Sequence, residues 1–225
     1  MRFTHIKNNS NKLLVYFNDM TKVGTLDNLF TAFNIINENF KDYDIIFMKD
    51  IKQNYWYLTK IEHAYTLIKQ LVEQNNYNSV YGLAASSGSI PLLNILYRFN
   101  DFKKAVIING QTTLCDEIVN KYRRSCHDCA IFNKASITEQ YDDKFITPFQ
   151  NIPVNMFDKY IFFYNNTTSD TVYYEYVKSI FPTTLHKNIH YDKTNKNSHG
   201  GYVGYLLKNT QFFDFIKKEF NGFIE

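Results

Sequence analysis

Three side chains in this chain stand in an order that suits nucleophilic catalysis: Ser86, then Asp170, then His199. A serine hydroxyl is a poor nucleophile at neutral pH. It needs a base to take its proton, an acid to orient that base, and N–H donors for the oxyanion that forms. Ser86 lies in Ala84-Ala85-Ser86-Ser87-Gly88, one methyl away from the G-x-S-x-G frame of a strand-to-helix turn that lifts the hydroxyl above a sheet. Small residues belong there because the strand end and the helix start approach too closely for larger ones. Ser87 and Ser89 compete for the nucleophile role from poorer frames.

An acid and then a base are expected downstream of such a serine. The apolar run Tyr160–Tyr164 opens into Asn165-Asn166-Thr167-Thr168-Ser169-Asp170, which makes Asp170 the acid. Asp170 is equally suited to cap the helix that follows, and the two roles can overlap. Asn197-Ser198-His199-Gly200-Gly201 comes next, and its two glycines read as a tight, freely bending loop that presents His199 as the base. His186 and His190 flank a strand and are the rivals, while His5, His63 and His127 precede Asp170. One oxyanion donor is expected from the Ser87 N–H at a helix start, and the second from Asp19 or Met20 in the loop after residues 13–17. Tyr122, Tyr141, Tyr173 and Tyr174 are the aromatic residues best placed for substrate contact.

Other chemistries find less support. Cys126-His127-Asp128-Cys129 is a C-x-x-C, but zinc needs two more ligands, and only Cys115 and scattered histidines are on offer. A redox pair would open a helix in a thioredoxin-like βαβ unit, which is missing. Cys115, Cys126 and Cys129 therefore read as ordinary thiols, with no metal expected. No G-x-x-x-x-G-K-[ST] or G-x-G-x-x-G is present to cradle nucleotide phosphates.

The elements that would hold these groups follow from periodicity. Strands are expected at 13–17, 43–48, 79–83, 105–109, 160–164 and 185–189. Helices are expected at 26–37, 56–74, 89–99, 171–180 and 202–220. Alternation of this kind implies a three-layer α/β/α fold with a mostly parallel sheet and right-handed crossovers. It fails between 111 and 158, which reads as a helical cap inserted into a single domain spanning 1–225.

With 225 residues, 44% hydrophobic and 17% aromatic, the chain can bury a full core without disulfides or metal. The net charge of +3 is spread out, and its compact basic group, Lys121, Arg123 and Arg124, is too small for nucleic acid. No run reaches the roughly 18 apolar residues of a membrane span. The polar segment 1–12 is unlike a secretory leader, so a cytoplasmic location is expected.

With Ser86, Asp170 and His199 in line, the chain resembles a compact serine α/β-hydrolase. It is most similar to capsule-polysaccharide O-acetyltransferases of the meningococcal serogroup A type, from strand 13–17 through Ala84–Gly88 to Asp170 and Ser198-His199-Gly200-Gly201. Ala84 departs from the usual first glycine. The resemblance implies an acyl-enzyme on Ser86, acetyl-CoA as co-substrate rather than a bound cofactor, and a glycan hydroxyl as acceptor. An esterase or thioesterase of the same fold, or an inactive binding module, are the alternatives.

Overall fold

A computed structural model describes residues 1–19, 32–50, 58–125, 143–195 and 197–222, with the side chains of 122–125 and 143–144 left out. Its centre is a seven-stranded sheet in the order β1-β3-β2-β4-β5-β6-β7. The strands are β1 Arg2–Ile6, β2 Lys12–Phe17, β3 Asp44–Lys49, β4 Ser79–Ala85, β5 Phe102–Ile108, β6 Tyr160–Asn165 and β7 Ile189–Asp192. All neighbours pair in parallel except β1, which runs antiparallel to β3 at the edge.

The unbroken apolar runs exist because both faces of the sheet are covered. Along β2, Leu13, Val15 and Phe17 enter one core, and Leu14 and Tyr16 enter the other. Helices α2 Ile61–Asn75, α3 Ser89–Ile95, α4 Asp116–Ser125 and α5 Thr168–Ile180 lie on the first face. Helices α1 Phe33–Asn39, α6 His199–Leu207 and α7 Thr210–Asn221 cover the second. The result is the expected three-layer α/β/α arrangement.

Several expected elements differ. β1 carries no apolar run because an edge strand is half exposed, so the polar N-terminus gave no signal for it. The last strand starts at Ile189 rather than Leu185: after Pro182, Leu185 closes a 3-10 turn through a 2.8 Å bond from its N–H to the Pro182 carbonyl. The C-terminal helix is two helices, because Asn209 leaves the helical region and its side chain accepts from the Gln211 N–H to cap α7. Residues 26–31 of the first expected helix and 56–57 of the second lie outside the described residues. Within 111–158, Leu114, Ile118, Val119, Ile146, Phe149, Ile152 and Phe157 feed the first core, and residues 126–142 lie outside the described residues.

Candidate active site

β4 ends in extended backbone at Ala85 and turns at Ser86, whose φ of 52° is left-handed. Such a conformation in a residue with a side chain is costly and persists only where the surroundings enforce it. The enforcing contact is Gly88. A Cβ there would lie 2.3 Å from the Phe17 carbonyl oxygen, so the turn abuts the end of β2 and admits only glycine. Ala84 is fully buried in the first core, where its methyl has room, so the missing glycine does not disturb the turn.

The structure brings Ser86, His199 and Asp170 together. His199 Nε2 lies 2.7 Å from Ser86 Oγ, and His199 Nδ1 lies 2.6 Å from Asp170 Oδ1. Since an ionised carboxylate only accepts, Nδ1–H donates to Asp170 and Nε2 is left to accept the Ser86 proton. Burial alone would lower the His199 pKa. The charge of Asp170 and its hydrogen bond, with a smaller push from Asp19, outweigh that and raise it above 6.5. The imidazole remains 24% exposed while the Asp170 carboxylate is 1% exposed. The acid is sealed and the base faces solvent.

Asp170 is not the helix cap. Thr167 is: its hydroxyl accepts from the Asp170 N–H at 3.1 Å and donates to Asp170 Oδ2 at 2.5 Å. The carboxylate is thereby satisfied on one oxygen and free to orient His199 with the other. Thr167 was not singled out from the sequence, although the T-x-x-D spacing of a capping box was there to find it. His199 is not in a loop either. It is the first residue of α6, capped by Ser198 Oγ accepting from the Gly201 N–H at 3.2 Å. Gly200 and Gly201 adopt no positive φ, so their freedom to bend is not what places the histidine.

The rivals are placed differently. Ser89 Oγ is buried 2.7 Å from the carbonyl oxygens of both Ser86 and Gln111 and donates between them. Ser87 is fully buried, at the start of the turn into α3. His190 stacks on Phe163 at 4.5 Å, and burial, only partly offset by Glu219, lowers its pKa. His186 donates from Nε2 to the carbonyls of Lys178 and Phe181. Tyr173 is a core residue, and Tyr174 stacks on Tyr191 at 4.2 Å.

Of the expected oxyanion loop, Asn18 is buried and its side-chain amide donates to the Asp19 carbonyl at 3.2 Å, which orients that peptide. The Gly88 contact brings this loop against the elbow that carries Ser87. Met20, Cys126, His127, Cys129 and Tyr141 lie outside the described residues. Cys115 is half-buried at the edge of a cavity of about 940 Å³ between α4 and α5. That cavity meets the acid loop at Asn166 and Thr168, and neither Ser86 nor His199 lines it. Among the described residues, no three His, Cys, Asp or Glu side chains converge as metal ligands, and no helix is long and apolar enough to cross a membrane.

No protein-family model matches the chain, and no curated protein matches it in sequence. Solved structures do match. A lipase-esterase related protein from Clostridium acetobutylicum superposes with a TM-score of 0.58 at 12% identity, over 96% of this chain and 98% of that one. The capsule O-acetyltransferase of Neisseria meningitidis serogroup A gives 0.58 at 14% identity, over 98% and 90%. MGS-MChE2, an α/β-hydrolase enzyme from a lagoon-sediment metagenome, gives 0.57 at 15% identity, over 98% and 95%. Identities this low speak to fold alone, and on that ground the chain has a three-layer α/β-hydrolase-like fold.

Proposed function

We propose that this chain is a serine-dependent acyltransferase that acetylates a glycan hydroxyl with acetyl-CoA as donor. The observation that supports it most is the continuous line Asp170–His199–Ser86, with contacts of 2.6 and 2.7 Å, built on a left-handed elbow. The acyl-donor and glycan part of the reading is supported by the likeness in fold, over nearly the whole of both chains, to a capsule O-acetyltransferase.

In the first step His199 Nε2 takes the Ser86 proton as Oγ bonds to the thioester carbonyl carbon. The carbonyl electron pair becomes an oxyanion that the Ser87 N–H and a second N–H donor stabilise. Collapse breaks the C–S bond, and His199 returns the proton to the departing thiolate. The second step runs the same sequence with a sugar hydroxyl as nucleophile, which leaves an acetyl ester and free Ser86. Water in place of the sugar gives an esterase from the same residues, so exclusion of water at the acceptor position decides between them.

The test is fluorophosphonate labelling of wild type against Ser86→Ala, with acetyl-CoA consumption followed with and without an added polysaccharide. Labelling confined to wild type, and thiol release that rises with the polysaccharide, is the expected result. Equal labelling of both proteins removes Ser86 as the nucleophile. Thiol release indifferent to every acceptor replaces the transferase with a hydrolase.

A further inference from the structure

The acid, the base and the nucleophile sit on three separate segments. The carboxyl end of β5, which contributes none of them, is bonded to the backbones of His199 and Ser86 and to β6, the strand that leads to Asp170. Asn109 is fully buried there with a left-handed φ of 45°. Its backbone N–H donates to the Phe163 carbonyl of β6 at 2.7 Å. Its side-chain amide donates to the His199 carbonyl at 3.0 Å and to Asn165 Oδ1 at 3.1 Å, and its Oδ1 accepts from the Asn165 N–H at 3.3 Å. Asn165 in turn donates from Nδ2 to the Asn197 carbonyl at 2.7 Å. Two residues on, the Gln111 N–H donates to the Ser86 carbonyl at 3.1 Å.

We infer that Asn109 is a positioning residue: with Asn165 it forms a two-amide clasp that fixes the Asn197–His199 segment over Ser86. The assignment rests on the acyl-transfer reading of the same site. Three physical points carry it. Both amide protons of Asn109 are spent on acceptors in different segments, so the clasp is directional in a way apolar packing is not. The left-handed backbone is one that asparagine tolerates and most side chains do not, which leaves few residues able to stand there. Lastly, the imidazole contacts to Asp170 and Ser86 are both short, and displacement by an ångström would break one or the other.

Two variants test this. Asn109→Gly removes the amide and leaves the left-handed backbone accessible. Asn109→Asp keeps the shape but turns a donor into an acceptor against two oxygens. The first readout, the imidazole titration of His199 by NMR, does not depend on turnover. The charged groups facing that imidazole are Asp170 and Asp19. Loosening it from Asp170 in Asn109→Gly lowers its midpoint toward or below 6.5. The second readout is p-nitrophenyl acetate hydrolysis, in which both variants lose about 10²-fold in kcat with KM held within about twofold.

A folded Asn109→Gly protein with wild-type titration and kcat overturns the assignment. Loss of cooperative unfolding in both variants makes Asn109 a residue of the sheet and overturns it as well. A shifted titration in a protein whose Ser86 takes no fluorophosphonate supports the clasp and sinks the acyl-transfer reading, so the two are separable.

Discussion

β4 has a buried hydrogen-bonded relay at each of its ends, and the two are built alike. At the carboxyl end, Asp170 holds His199, which holds Ser86. At the amino end, Asp44 accepts from the Tyr77 hydroxyl at 2.5 Å, and Tyr77 OH lies 3.1 Å from His5 Nε2. Both carboxylates are almost fully buried. The difference lies in the middle group. An imidazole exchanges its proton near neutral pH, whereas burial and the Asp44 contact push the Tyr77 phenol far above its ordinary range. The Tyr77 phenol therefore stays protonated at the neutral pH where an imidazole titrates. The amino-end relay joins the edge strand β1 to the starts of β3 and β4, and the left-handed residue beside it, Asn76, carries no hydroxyl or thiol to act as a nucleophile. Relay geometry alone does not mark a site; a titratable middle group and a strained, left-handed end that carries a hydroxyl do.

The largest test of that contrast is Asp170→Asn, which keeps the shape but removes the charge that holds the Nδ1–H tautomer. Turnover of p-nitrophenyl acetate falls about 10⁴-fold with unfolding temperature little changed. The base must be neutral to act, and Asp170 raises its pKa. The wild-type kcat/KM therefore climbs with pH through a midpoint above 6.5, and the variant's residual activity has a lower one. An unmoved midpoint breaks the comparison at its centre.

Tyr77→Phe is the matched change at the other end. It strips the Asp44 carboxylate of a donor and costs about 1–3 kcal/mol in chemical denaturation, while labelling of Ser86 is unchanged. A loss of labelling would mean the two ends are coupled through β4.

The smallest effect is His5→Ala, under about 1 kcal/mol. Burial lowers the His5 pKa, against a raising influence from Asp44 and with a further lowering one from Lys7. For Asp44, burial pulls upward, but the Tyr77 hydroxyl, the Ser10 and Asn8 amides and His5 together hold it below the ordinary value. Both depressed values mean stability that is lost as pH falls, for His5 through 6.5 downward. At His199 the raised value gives stability present below 6.5 and lost as pH rises through its folded pKa. Removal of His5 thus reduces the loss of stability on mild acidification, which thermal unfolding across that range detects.

Much of the fold was legible because buried parallel strands are written as unbroken apolar runs, such as Leu13–Phe17 and Tyr160–Tyr164. β1 was not, since an edge strand needs only half an apolar pattern. The elbow announced itself through a steric demand, that of Gly88 against Phe17, which leaves a mark in residue type. Thr167 left only the local T-x-x-D spacing of a capping box, and Asn109 left no mark: an asparagine at a strand end is ordinary, and its partners at Asn165 and His199 are distant in the chain.

The amino-acid sequence by itself determined the layers, the turn at Ser86 and the order of serine, acid and histidine, because these depend on local periodicity and side-chain size. Only the tertiary structure decided that Asp170 and Ser86 meet the two nitrogens of the His199 imidazole, and that Asn109 and Asn165 tie its backbone in place. Those are hydrogen bonds, directional and effective over about 3 Å, and no spacing along a chain specifies which distant groups will meet at that range.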